Sequence, residues 1–131
     1  MSGWPYSERV AQHFARPANP GPLAGNPDNM FTGLAGDRAV GTQIEFQARI
    51  PADTIDEIAF RAFGCPHSIA ACSLATELLT GQPAAALMKL APRELAEALD
   101  VPVEKTGRLL VVQDALHQCF IAWDNRRLGR N

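Results

Sequence analysis

The chain has 131 residues, of which 47% are hydrophobic and 20% are charged, and its formal net charge is −2. This length and composition predict a single globular domain and argue against a disordered chain. The small net charge gives no general attraction to nucleic acid or to an anionic membrane, and no apolar run approaches the ~20 residues that span a bilayer, so neither partner is expected.

The first 30 residues are predicted to form a helix followed by an extended arm. Apolar side chains recur every four residues from Tyr6 to Phe14, which predicts a helix from Tyr6 to Ala15. Ser7 is a candidate N-cap for this helix. Residues 16–29 are rich in proline, glycine and asparagine, which is typical of a loop. The sequence leaves open whether this loop is a mobile arm or a segment wrapped on the domain.

Residues 31–63 are predicted to form an antiparallel sheet of about three strands. Phe31–Ala35 is a weak strand candidate, and the turn-forming residues Gly36–Gly41 predict a loop after it. Apolar and polar residues alternate from Gly41 to Ile50, the period of a half-buried strand. A short connection leads to a returning strand at Ile55–Phe63, which favours antiparallel pairing. The residues predicted to face the core are Ile44, Phe46, Ala48, Ile50, Ile58, Phe60 and Ala62.

Residues 64–131 are predicted to form a helical part. The first helix has proline at its first position and Gly81 just beyond its end, where glycine commonly terminates a helix. Strands in the first half and helices in the second predict an α+β fold for one domain over residues 1–131. The helices predicted in this half are Pro66–Thr80, Pro83–Leu90, Pro92–Leu99 and Lys105–Leu128.

Cys65 lies where the last predicted strand gives way to the first strong helix. Gly64 permits a tight turn and Pro66 suits the first helical position, so Cys65 is predicted at the helix N-terminus. There the helix dipole and the free backbone amides favour a thiolate, the form that binds metal or attacks sulfur. The alternative is a small buried cysteine at a tight turn, with no chemical role.

The number of cysteines also indicates the cellular compartment in which the protein works. The chain has three cysteines, and an odd number argues against a closed disulfide framework. Its N-terminal residues lack the charged and apolar regions of a signal peptide. We therefore expect a cytoplasmic location.

Several short motifs follow one another in a fixed order along the chain. They are Tyr6–Val10, His13–Phe14, Pro17–Asn19, Phe63–Cys65, Ile69–Ala70 and Ser73–Glu77. In this order and spacing the chain resembles the NifU/IscU-type iron–sulfur cluster assembly scaffolds. The resemblance implies a small antiparallel sheet packed against several helices, which agrees with the pattern described above. It also implies a role in iron–sulfur cluster biogenesis.

The resemblance further implies a cofactor site with three cysteines and an aspartate or histidine, which holds a [2Fe–2S] cluster or zinc. Only Cys65 of these ligands is kept, and the other positions carry Val40, Thr42 and Arg108. Arg108 would bring a positive charge to the site, which disfavours a cation and favours the Cys65 thiolate or an anionic partner. Cys72 lies two helical turns, or ~10 Å, beyond Cys65 and is expected in the core.

His67 and Asp37 are the candidates to complete a metal site with Cys65. His67 lies in the first turn of the same helix, where a lone histidine is more often a cap or a surface residue than a ligand. Asp37 lies in the loop that carries the first cysteine of the family, and it reaches the site only if that loop refolds. Because at least two of four coordination positions stay unfilled, we expect the isolated monomer to hold neither a stable [2Fe–2S] cluster nor tight zinc.

Three functions are consistent with the resemblance. The first is an iron–sulfur scaffold that works as a homodimer or with ligands lent by a partner. The second is a non-catalytic regulatory paralogue that binds the assembly machinery. The third is a persulfide carrier or sulfurtransferase that uses Cys65, the one case in which the chain would be an enzyme. The resemblance implies a cysteine desulfurase and other iron–sulfur assembly proteins as partners.

Overall fold

The computed structural model describes residues 6–129, and in that range it contains a three-stranded sheet and five α-helices. Residues 1–5 and 130–131 of the proposed 1–131 domain lie outside the described residues. None of the helices in residues 6–129 combines the length and the apolar character that crossing a bilayer requires. The elements are α1 (Glu8–Ala15), β1 (Met30–Asp37), β2 (Thr42–Arg49), β3 (Glu57–Phe63), α2 (Pro66–Leu79), α3 (Ala86–Lys89), α4 (Pro92–Ala98) and α5 (Leu110–Arg127).

Helix α1 begins two residues later than its apolar spacing predicts. The Ser7 hydroxyl accepts a hydrogen bond from the Val10 amide at 3.1 Å, so Ser7 is the N-cap and Tyr6 lies before the helix. Val10 is fully buried where α1 packs against α2. The predicted cap is therefore confirmed, and it sets the start of the helix.

The arm formed by residues 16–29 wraps along the free edge of β3. The Gly21 amide donates to the Phe60 carbonyl at 2.8 Å, and the Phe60 amide donates to the Asn19 carbonyl at 3.2 Å. The Arg49 guanidinium donates to three carbonyls of the arm, the shortest bond being 2.6 Å to Asn26. The sequence left open whether this arm is mobile or wrapped on the domain, and in the structure it is wrapped on the domain.

The three strands form an antiparallel sheet in the order β1-β2-β3. Phe46 on β2 is paired with Gly33 on β1 and with Phe60 on β3. The alternation predicted for β2 is confirmed, because its apolar residues are buried beneath α5 and its polar residues face outward. The weak strand candidate is longer than predicted, since β1 continues to Asp37 and a 3-10 helix at Arg38–Val40 replaces most of the predicted loop.

The helical half differs from its predicted form mainly before α5. Helix α2 ends as predicted, with Gly81 at φ 85° just beyond it. Helix α5 begins at Leu110 rather than Lys105, because Val103–Leu109 forms a 3-10 helix. This 3-10 segment packs beside α2 and carries Arg108 towards the start of that helix.

Candidate functional site

Cys65 is the N-cap residue of α2, directly after the turn that leaves β3. Its backbone is extended, and Pro66 occupies the first helical position as predicted. Gly64 keeps the turn close to β2, because a Cβ on Gly64 would lie 3.4 Å from the Thr42 methyl group. The Cys65 sulfur is partly buried and lies 3.6 Å from the Ser68 hydroxyl oxygen. The local sequence thus places a partly accessible thiol at the mouth of a 14-residue helix.

The groups around Cys65 favour the thiolate. Burial alone would raise the pKa of the thiol, but the combined effect of the Ser68 amide and hydroxyl, the Arg108 guanidinium and the His67 amide outweighs it, so the pKa of Cys65 falls below its ordinary value. The sulfur makes no regular side-chain capping bond with α2, so we attribute the effect of the two amides to their dipoles at the helix N-terminus. A thiolate is the form of cysteine that acts as nucleophile or metal ligand.

His67 is buried, unlike the cap or surface residue that its position favours. Only 4% of the residue is exposed, and its ring packs edge-on against Tyr6 with 4.7 Å between centroids. Its Nδ1 atom has no hydrogen-bond partner within the described part of the chain. Burial, followed by the positive charges of Arg108 and Lys105, lowers the pKa of His67 and favours the neutral imidazole.

Asp37 has a local role that the sequence did not predict. It is the last residue of β1 rather than part of a free loop, and its carboxylate accepts a hydrogen bond from the Ala39 amide at 2.9 Å. This bond caps the 3-10 helix that follows. Across residues 6–129, no three His, Cys, Asp or Glu side chains are grouped as a metal site would require. Asp37, Cys65 and His67 therefore do not form such a group in this conformation.

The two other cysteines lie in the core, which confirms the position predicted for Cys72. Cys72 and Cys119 are both fully buried. Burial raises the pKa of Cys72 far above its ordinary value, and it raises the pKa of Cys119 to about 12. The Cys119 thiol donates a hydrogen bond to the Phe31 carbonyl at 3.4 Å. Neither thiol is therefore available to bind a metal ion together with Cys65.

We expect iodoacetamide to modify one thiol of the three in the native protein. Cys65 is partly accessible and its lowered pKa increases the thiolate fraction at neutral pH, whereas Cys72 and Cys119 are buried and protonated. Intact-mass measurement at pH 7 should show a single adduct, absent from Cys65→Ser, and three adducts in denaturant. The alkylation rate should rise with pH at a lower midpoint than that of an ordinary thiol. A second native adduct would contradict the burial of the core cysteines.

An open groove lies on the outer face of the sheet, at the end from which the chain enters α2. Its volume is about 360 Å³. Leu34 and Phe63 expose 53% and 44% of their surfaces there, and the Arg38 guanidinium lies 5.0 Å from the Phe63 ring centroid. The Arg61 guanidinium pairs with the Glu45 carboxylate at 2.5 Å across the same face. Sequence reasoning missed this surface, although apolar residues on the polar face of an alternating strand are a readable signal.

Comparison with known proteins agrees with this fold. A model of the NifU-like N terminal domain matches residues 5–129. The iron–sulfur cluster assembly protein IscU of Plasmodium falciparum is 35% identical over 111 residues, which cover 85% of this chain and 68% of that protein. The iron–sulfur cluster assembly scaffold protein IscU of Escherichia coli is 29% identical over 123 residues, which cover 93% of this chain and 96% of that protein.

The fold is also shared with a solved structure. The N-terminal part of a nitrogen-fixing NifU-like protein from Brucella abortus superposes with a TM-score of 0.67 at 12% identity, over 91% of this chain and 94% of that one. At this identity the likeness concerns the fold alone. The family model, in contrast, matches nearly the whole length of the sequence, and a relative above 30% identity supports it. The chain therefore belongs to the NifU-like N-terminal domain family.

Proposed function

We propose that this protein, acting as a single domain, takes part in iron–sulfur cluster biogenesis as a scaffold-type assembly protein centred on Cys65. Membership of the family and relatives named as iron–sulfur cluster assembly proteins support this role. The observation that carries it is the partly accessible thiol with a lowered pKa at the start of α2. A cytoplasmic location is proposed because all three cysteines are free thiols, as in a reducing compartment.

The cargo of such a scaffold is an iron–sulfur cluster, iron or zinc, and this chain offers two adjacent donors for it. A thiolate at Cys65 and a neutral imidazole at His67 suit borderline metals such as iron and zinc. Asp37 becomes a third donor only if the 3-10 helix that it caps opens. The remaining ligands would come from a second copy of the chain or from a partner, so a homodimer is the simplest complete site.

A second candidate function is transfer of sulfur, and the partly accessible Cys65 thiol with its lowered pKa favours it. The Cys65 thiolate would attack the outer sulfur of a donor persulfide, R–S–SH. The S–S bond of the donor breaks, its electron pair leaves with R–S⁻, and a new S–S bond forms at Cys65. The product Cys65–S–SH then releases its proton to solvent. The sulfur atom moves without any external oxidant or reductant, and a cysteine desulfurase carries the required donor group.

The groove on the outer face of the sheet is the surface we propose for this partner. Leu34 and Phe63 offer exposed apolar contacts, and Arg38 has no carboxylate partner in the described part of the chain. A partner segment with an apolar side chain and a carboxylate would match both features. Phe63 precedes Cys65 by two residues, so a partner docked there is close enough to present its own sulfur or ligand to the thiol.

Cys65→Ser is expected to abolish both cluster assembly and sulfur acceptance, because serine supplies neither a thiolate ligand nor a sulfur nucleophile. The protein is treated anaerobically with iron, cysteine and a cysteine desulfurase. Iron and acid-labile sulfide per chain, oligomeric state and the mass of the Cys65 peptide are then measured. Cys119→Ala is the matched control, since it removes a core thiol and should retain the signal.

The outcomes separate the proposed roles. A cluster that is found in a dimer and is lost in Cys65→Ser supports a scaffold with shared ligands. A cluster that is found in the monomer supports a self-contained scaffold. Persulfide on Cys65 without metal supports the sulfur carrier. If neither signal appears in the wild type although the desulfurase binds, Cys65 has no such role and the regulatory paralogue is the remaining function.

A further inference from the structure

A second cleft lies where the end of α5 meets the start of β1 and the turn after β2. Its volume is about 210 Å³. Most of its wall is apolar and includes Phe31, Ile50 and Trp123, while Arg126 and Arg127 line one side. Apolar walls with a few polar groups are typical of ligand sites, and pockets for drug-sized ligands usually measure ~300–1,000 Å³. The cleft therefore suits a ligand that is smaller than these.

This cleft is remote from Cys65. Strand β1 begins at Met30, between two residues of the cleft wall, and ends at Asp37, which pairs with Thr42. Thr42 in turn lies beside Gly64, the residue before Cys65. An eight-residue strand spans ~23 Å, so the cleft and the thiol lie at opposite ends of the sheet. A ligand in the cleft would leave the thiol uncovered.

The two arginines of the cleft differ in their charge partners. The Arg127 guanidinium pairs with the Asp124 carboxylate at 2.6 Å and lies 5.1 Å from the centroid of the Trp123 ring. The Arg126 guanidinium lies 5.9 Å from the Phe31 ring centroid, which places its charge over the cleft wall. Within residues 6–129 this guanidinium forms no ion pair and donates no hydrogen bond. Its donors are therefore free to bind an anion.

The frame around the cleft is held by hydrogen bonds. The Trp123 indole donates to the Ala52 carbonyl at 3.2 Å, which ties α5 to the turn after β2. Two carbonyls at the end of α5 accept hydrogen bonds from the Leu128 and Gly129 amides. These bonds partly compensate the negative end of the helix dipole, which would otherwise disfavour an anion. An anionic ligand thus meets a preformed apolar wall beside a guanidinium that no carboxylate neutralises.

We propose that this cleft binds a carboxylate that carries an apolar group no larger than one hydrophobic side chain. The carboxylate accepts two parallel hydrogen bonds from the Arg126 guanidinium, and the apolar group packs against Phe31 and Trp123. A free short-chain carboxylic acid and the C-terminal residue of a partner protein share this chemistry. The inference goes beyond the proposed role of Cys65 and does not depend on it.

The test uses two probes with the same apolar group. One is 4-methylpentanoate, which represents a free acid, and the other is acetyl-Gly-Gly-Leu with a free C-terminus, which represents a chain end. Affinity is measured by titration calorimetry on the full chain, and the NMR shift of the Trp123 indole N–H reports whether the probe enters the cleft.

Four variants are compared with the wild type. Arg126→Gln removes the charge, Arg126→Lys keeps it without the bidentate geometry, and Ala52→Phe fills the cleft while retaining the backbone carbonyl that Trp123 needs. Arg93→Gln is the matched control, because Arg93 is an exposed arginine on α4 and does not line the cleft. Thermal melting establishes that each variant is folded.

The wild type is expected to bind at least one probe with a dissociation constant below about 1 mM. Arg126→Gln should weaken binding at least about tenfold, because a charge-assisted pair of hydrogen bonds is lost. Arg126→Lys should weaken it at least about threefold. Ala52→Phe should weaken it at least about tenfold, since the apolar group has no room. Arg93→Gln should stay within about twofold of the wild type.

The two probes distinguish the sources of the ligand. Tighter binding of the peptide supports a partner's chain end, and tighter binding of 4-methylpentanoate supports a free acid. Absence of binding of both probes, or equal affinity in Arg126→Gln and Arg93→Gln, would overturn the proposal. Equal binding of acetate would show that the apolar wall is not used, and equal binding of the peptide amide would show that no carboxylate is recognised. Either result contradicts the inference. If Arg126→Gln does not fold, Ala52→Phe decides, and unchanged affinity in that variant refutes the site.

Discussion

Gly33→Ala is expected to destabilise the protein by at least about 3 kcal/mol, at the upper end of what overpacking a core costs. A Cβ on Gly33 would overlap the Ala115 carbonyl oxygen and the Cys119 amide nitrogen, and it would lie 2.9 Å from the Cα of Cys119. All of these atoms belong to the backbone of α5, so no side-chain rotation can relieve the overlap. Helix α5 must move away from β1 or the strand must leave the sheet.

The measurement is urea unfolding of the wild type and the variant, supported by melting temperature. A loss of 3 kcal/mol corresponds to a fall of roughly 12 °C for a domain of this size. Gly107→Ala is the matched control, because nothing lies within 4 Å of its Cβ position and its φ is outside the left-handed region. That control should stay within about 0.5 kcal/mol of the wild type. A loss below about 1 kcal/mol for Gly33→Ala would show that α5 does not approach β1 this closely.

The double change Thr42→Asp with Arg108→Cys is expected to create a zinc site with a dissociation constant below about 1 μM, since tetrahedral zinc takes four N, S or O donors. Thr42 lies beside Gly64, and Arg108 is near enough to help lower the pKa of Cys65, so we expect both new side chains to lie near the thiol. Together with Cys65 and the unpaired Nδ1 of His67 they would supply four donors. The Arg108→Cys substitution also removes a positive charge that would repel the zinc ion.

Zinc binding is measured by competition with a chelator and by the rise in melting temperature. At zinc concentrations about 100 times the dissociation constant, the folded state should gain about 2.7 kcal/mol. The same double change combined with Cys65→Ser is the control and should lose most of this gain. Thr42→Asp alone retains Arg108 and should bind zinc weakly. Absence of stoichiometric zinc in the double variant would mean that these four positions do not converge on one point.

The sequence and the structure agree best where a pattern is local. The alternation along β2 predicted its buried face, because successive strand residues point to opposite faces. The short connection after β2 predicted its antiparallel pairing with β3. The start of α2 was likewise readable, since Gly64, Cys65 and Pro66 act through backbone preferences of adjacent residues. Even the error at α1 was local, because Ser7 as cap places the helix start after Tyr6.

The sequence was less informative about the segment before α5. The last helix was predicted to begin at Lys105, whereas Val103–Leu109 forms a 3-10 helix that packs beside α2. A 3-10 turn and the first turn of an α-helix have similar spacing over so few residues, so the pattern does not distinguish them. The influence of Arg108 on the pKa of Cys65 follows from this packing.

By itself, the sequence determined the family, the α+β order of elements and the position of Cys65 at a helix N-terminus, because motifs, periodicity and turn residues act between neighbours in the chain. Tertiary structure alone decided that His67 is buried and that Arg108 lies near enough to Cys65 to help lower the pKa of its thiol. Burial and charge at a site depend on segments that are distant in the sequence and meet only when α2, the sheet and the segment before α5 pack together.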